Sequence, residues 1–105
     1  MARLGYSFRP QAERDAIEIA LYIAKDNLVT AKEFLDLLET TCGRIAEMPD
    51  IGSRRTYKNP ALRNVRMAPV SKFDTYLIFY RGDKGDVDVI RVVHGARDLP
   101  TLFGE

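Results

Sequence analysis

Apolar residues change their spacing midway along this chain, and that change restricts the fold more than any other feature. From Gln11 to Lys25, the residues Ala12, Ala16, Ile19, Ala20 and Ile23 fall on one helical stripe, which Ile17, Leu21 and Ala24 widen. The opposite face carries Arg14, Asp15, Glu18, Tyr22 and Lys25, and reads as solvated surface. Asp26 and Asn27 interrupt the pattern. A second stripe of Ala31, Phe34, Leu35, Leu38, Cys42, Ile45 and Met48 then runs up to Pro49. Thr30 and Glu33 have the spacing of a capping box, and Val29 and Phe34 that of a hydrophobic staple, so the second helix is expected to start at Ala31. Two helices with so short a link form an antiparallel hairpin.

Beyond Pro60 the period drops to two. Leu62 to Met67 reads as a strand. Phe73, Thr75, Leu77 and Phe79 alternate with Asp74, Tyr76, Ile78 and Tyr80, which makes the next strand apolar on both faces and therefore central. Arg81 to Asp86 holds two glycines and reads as a turn, after which Val87 to Val93 returns as a hairpin partner. Ahead of the helices, Leu4, Tyr6 and Phe8 alternate with Gly5, Ser7 and Arg9, and Pro10 suits the first helical turn. The predicted class is α+β: an N-terminal strand, a helical hairpin and a three-stranded antiparallel meander, with the helices on one face of the sheet. At 105 residues this is expected to be one domain spanning 1–105.

Charge is segregated along the chain. Residues 1–53 hold 6 basic and 9 acidic side chains, and residues 54–97 hold 10 basic and 4 acidic, so the net moves from −3 to +6. Such asymmetry points to a polyanion or an acidic partner. Arg54, Arg55, Lys58 and Arg63 cluster in and beside a loop over residues 50–60. A single cysteine, Cys42, excludes a disulfide framework, and a single histidine, His94, excludes a His-rich metal centre, so no metal or cofactor is expected. Cys42 lies on an apolar stripe and reads as a buried structural thiol. The first residues carry no apolar run of a targeting segment and no stretch reaches the roughly 18 apolar residues of a membrane span, so a cytoplasmic location is expected.

Chemistry-bearing residues concentrate in the strand half. Arg63, Arg66, Arg81, Arg91 and Arg97 lie in or at the ends of the strands. Simple alternation places Arg91 on one face with Val87, Val89 and Val93. A guanidinium among apolar residues needs a partner or a cleft; Asp74, Asp88 and Asp98 are the candidate partners. Left free, Arg63, Arg81, Arg91 and Arg97 have the chemistry to bind a phosphate, and His94 the chemistry to move a proton, which is the minimal set of a metal-independent ribonuclease. Paired with carboxylates and a turn, the same residues are structural.

Several segments in order resemble the ParE/RelE superfamily of toxins from type II toxin–antitoxin pairs. They are Phe8-Arg9-Pro10-Gln11-Ala12, Ile17 to Ala24, Ala31 to Leu38, Pro49 to Arg54, Leu62-Arg63, Tyr76 to Arg81, and Ile90 to Asp98. The resemblance implies a helical hairpin on an antiparallel sheet, and a bacterial toxin neutralised by a small antitoxin whose disordered, acidic tail folds on binding and which alone brings the complex to DNA. RelE-like members cleave messenger RNA on the ribosome; ParE-like members poison DNA gyrase. No tyrosine follows Tyr80 and the basic loop has one lysine, Lys58, so the RelE-like pattern is incomplete, while the His94-Gly95-Ala96-Arg97-Asp98 ending looks ParE-like. The expectation is therefore a gyrase-directed toxin with no catalytic residues, the alternative a RelE-like endoribonuclease. Antitoxin contacts are expected at Leu21, Tyr22 and Leu37, with Arg63, Arg66 and Lys72 meeting its acidic residues. Target contacts are expected at Arg91, Arg97, Leu102 and Phe103.

Overall fold

The computed structural model describes residues 4–54, 56–97 and 99–103, apart from the side chains of residues 100 and 101. Its elements follow the order β1 (Tyr6–Phe8), α1 (Pro10–Ala24), α2 (Leu28–Glu47), β2 (Ser53–Arg54), β3 (Arg66–Val70), β4 (Phe73–Asp83), β5 (Asp86–His94) and α3 (Leu99–Leu102). They build one five-stranded sheet in the order β1-β5-β4-β3-β2. β4 is central, as its two apolar faces require. β1 runs parallel to β5, with Tyr6 opposite Val87 and Phe8 opposite Val89; the other pairings are antiparallel.

Pro10 opens α1, where its missing N–H costs no helical bond. α2 begins at Leu28, three residues earlier than the capping-box spacing predicts. Asn27 takes the cap instead, its side-chain oxygen accepting from the Thr30 N–H at 3.0 Å. Thr30 is thereby drawn into the first turn, and Val29 is left exposed while Phe34 is fully buried, so the staple does not form. Asn and Thr both cap well, and the residue nearer the end of α1 wins because the chain has already turned there.

The hairpin packs on one face of the sheet. Ala12 and Ala16 of α1 and Phe34, Leu38, Cys42 and Ile45 of α2 meet Val70, Ile78, Val87, Val89 and Val92. Phe34 is edge-on to Phe73 and Tyr76, with ring centroids 5.4 and 5.3 Å apart. The other face is covered too. Leu62 and Val65 from the connection before β3, and Phe103 behind α3, bury Phe79, Ile90 and Val93.

Three strand expectations are corrected. Leu62 ends a short 3-10 turn rather than opening a strand, and β3 begins at Arg66. β4 and β5 continue to Asp83 and Asp86, which shrinks the turn to Lys84-Gly85. Gly85 has φ +77° there, and its N–H donates to the Ala46 carbonyl at 2.9 Å, tying the hairpin tip to α2. The register also shifts between Phe79, opposite Arg91, and Tyr80, opposite Val89. That bulge adds a residue to β5 and reverses its phase. Val92 therefore joins Val87 and Val89 under the helices, and Val93 joins Ile90 on the other face.

Candidate functional site

The bulge in β5 is held by a buried carboxylate. Asp15 is 5% exposed, although the helical pattern places it among solvated residues. It accepts from Arg91 twice, from Nε at 2.7 Å and from a terminal nitrogen at 3.0 Å. It also accepts from the Val92 backbone N–H at 3.0 Å and from Gln11 Nε2 at 3.0 Å. β1 reaches only as far as Val89, so beyond that point the outer edge of β5 has no strand neighbour among the described residues, and Asp15 occupies the place of one. Burial pushes the Asp15 carboxyl up, but the bonds from Arg91, Gln11 and Val92 outweigh it and hold the group below the ordinary carboxylate range. The sequence held a signal for this: Asp15 lies three residues after Ala12 and four before Ile19, within the apolar stripe.

Arg91 therefore has its partner on α1, not at Asp74, Asp88 or Asp98. Asp88 pairs instead with Arg9 at 2.8 Å, and Asp98 lies outside the described residues. His94 is exposed. Its Nδ1 accepts from the Ala96 N–H at 3.0 Å, so the neutral ring carries its proton on Nε2, and the ring stands edge-on to Tyr76 at 5.2 Å. His94, Tyr76, Tyr22, Glu18 and the exposed Arg97 line a cleft of about 430 Å³.

Among the described residues, Arg54, Arg66 and Arg81 do not form a free cationic cluster. Arg81 donates to the Ala61 carbonyl at 2.8 Å, and Arg66 to the Gly52 carbonyl at 2.9 Å while pairing with Asp50 at 3.2 Å. Arg54 donates to Asn64 at 3.1 Å. These three share a cleft with Asp50, Asp83, Asp86 and Asp88, so acidic side chains outnumber basic ones there. Arg63 and Lys72 are exposed elsewhere.

The residues assigned to partners fare differently. Leu21 and Tyr22 are 63% and 65% exposed. Leu37 is half-buried and packs on the main core. Phe103 is buried against Phe79 and Tyr57, with centroids 4.7 and 5.8 Å apart, and Leu102 packs beside it. Their surface is spent on covering the sheet. Sequence reasoning missed Ile17 and Leu35 as available surface, placing both in the core stripes; they stay exposed at 57% and 37%.

Cys42 is fully buried and its thiol is pushed up to about 12, first by burial and then by Glu39. Tyr80 is buried as well; it donates to the Pro49 carbonyl at 2.6 Å and accepts from the Gly52 N–H at 2.9 Å, fastening the link between α2 and β2. Among the described residues no group of three His, Cys, Asp or Glu side chains converges as a metal site, and no helix is long and apolar enough to cross a membrane.

The fold is thus a helical hairpin clamped by an ion pair to a mixed five-stranded sheet, of the α+β class. The family described as the ParE toxin of the type II toxin–antitoxin system parDE matches residues 6–99, and this chain belongs to it. A solved structure titled "Chromosomal ParDE TA system from P. aeruginosa" is similar over 85% of this chain and 92% of that one, with a TM-score of 0.65 and 13% identity, which shows the shared fold. No curated protein sequence matches the chain significantly.

Proposed function

We propose that this toxin acts by binding rather than by cleaving: it occupies DNA gyrase in the bacterial cytoplasm, arrests replication and growth, and is neutralised by a cognate antitoxin. The observation that carries this reading is the commitment of Arg91. A ribonuclease needs fixed cations around one phosphate with an acid and a base in reach. Arg91 is bound bidentately by Asp15, Arg66 and Arg81 are bonded to backbone carbonyls, and His94 caps its own turn. The family membership supports the toxin–antitoxin setting. Exposed Leu21 and Tyr22 on α1 are the proposed antitoxin contacts, and exposed Arg97 is the proposed target contact.

The test is pulse labelling of DNA and protein synthesis in the minutes after induction without antitoxin, beside supercoiling and cleavage assays with purified gyrase. DNA synthesis falling first, with gyrase inhibited, is the expected result, and His94→Ala retains it. Protein synthesis falling first, with transcripts cut and His94→Ala harmless, establishes the RelE-like alternative instead.

A further inference from the structure

The outward face of α1 carries charges in an order that complements itself. Successive residues of a helix turn by about 100°, so Arg14, Glu18, Leu21 and Lys25 fall on one stripe about 60° wide. All four are exposed, with Tyr22 beside them. Lys25 keeps helical dihedrals at the end of α1, which holds it in that line. Asp26 follows at the hairpin tip, where Leu28 and Val29 open α2. Leu21, Tyr22, Leu28 and Val29 are between 60% and 73% exposed. Among the described residues Glu18, Lys25 and Asp26 form no ion pair; Lys25 only stands 6.0 Å from the centre of the Tyr22 ring. Read from Arg14 to Asp26, the stripe runs positive, negative, apolar, positive, negative. Read backwards, it runs negative, positive, apolar, negative, positive.

We infer that α1 packs antiparallel on α1 of a second copy of this chain, about a two-fold axis between Leu21 and Tyr22. Such an interface uses one patch on both subunits, so the patch has to complement itself. The axis sets Leu21 of each copy against Tyr22 of the other. Glu18 and Lys25 lie equally far from it, so each Glu18 meets the other copy's Lys25, and the pair forms twice. Arg14 of each copy reaches the other's hairpin tip, its stem over Val29 and its charge towards Asp26. A parallel arrangement sets like charges together, and a partner of single charge sign is repelled at half of these positions. One helix pair is a small interface, below about 1,200 Å², so the dimer is a weak one, with a Kd on the order of 100 µM. The inference concerns the toxin alone and does not rest on gyrase as the target. An antitoxin seated on Leu21 and Tyr22 has first to displace the second copy.

The test is the mass of the free full chain by sedimentation equilibrium between about 10 and about 1,000 µM. That mass is expected to rise with concentration from 11.9 kDa towards twice the value. Leu21→Glu, at an exposed position that leaves the core untouched, holds it at the monomer throughout. Glu18→Lys and Lys25→Glu each turn two attractions into repulsions and weaken self-association about tenfold. Mixed in equal amounts, these two variants pair with each other at about parental affinity, because each lysine of one faces a glutamate of the other. Added salt weakens the mixed pair. The double variant Glu18→Lys with Lys25→Glu has the parental net charge and dimerises as the parent does. A mass that stays at the monomer value overturns the inference. So does a dimer that Leu21→Glu leaves intact, which places the contact elsewhere on the chain. So too does a failure of the double variant and of the mixture to associate better than either single variant alone.

Discussion

Replacing Asp15 with asparagine tests the central claim about this fold. Asp15→Asn keeps the shape but removes the charge and one acceptor oxygen, and turns an amide NH2 towards donors. The carboxylate accepts four bonds, two of them from Arg91, whose side chain is only 16% exposed. A buried pair broken by removing one partner costs about 3–5 kcal/mol, because the other charge stays desolvated. Arg91 retains a little solvent, so the lower end applies, about 3 kcal/mol. For a domain of this size that lowers Tm by roughly 12–24 °C. Urea denaturation followed by circular dichroism at pH 7 reads it directly. The folded-state carboxyl is held below its ordinary range, so its contribution is present above the unfolded value of about 3.9 and is lost as pH falls through the folded value. The gap between parent and variant therefore persists at pH 5 and closes below about pH 4. Arg91→Met placed in the Asp15→Asn background recovers part of the loss, since no unpaired buried charge remains. A loss under about 1 kcal/mol, or a gap that ignores acid, refutes the argument.

Three further outcomes follow from the packing. Phe103→Ala costs about 3–5 kcal/mol in the same urea assay, because Phe103 closes the second core over Phe79; any fall in toxicity then tracks lost folded protein, not lost contact with a target. Tyr80→Phe costs about 1–3 kcal/mol by stripping partners from the Pro49 carbonyl and the Gly52 N–H, read as a lowered Tm. Cys42 reacts with a disulfide reagent such as DTNB only on unfolding, since its thiol is buried and pushed up to about 12; rapid labelling of the native protein contradicts that burial.

The spacing of apolar residues was enough to state the order strand, two helices, three strands, the helical hairpin and the central position of β4, while the two-residue β2 and the one-turn α3 are too short to show a period. Each depends on a local period, and a local period is visible in a single chain. The resemblance of the Tyr76–Arg81 and Ile90–Asp98 segments pointed to the family that the match over residues 6–99 shows. Burial of Cys42 was equally legible, because the residue falls on the apolar stripe of α2.

What stayed hidden depends on contacts between distant residues. Whether Asp15 is solvated or buried is settled by a partner 76 positions away and by the early end of β1, which leaves the Val92 N–H to be satisfied. The bulge opposite Phe79 and Tyr80 reverses the faces of β5, so strict alternation misplaces Val92 and Val93. Leu102 and Phe103 look like free apolar ends until the second sheet face is seen to need a cover. Ile17 looks like core until α1 settles on the sheet through its alanines, and Leu35 does until α2 turns Phe34 and Leu38 inward instead. Periodicity shows which side chains are apolar together; only the packed structure decides which of them are left over, because a sheet and two helices bury just the stripe that fits between them.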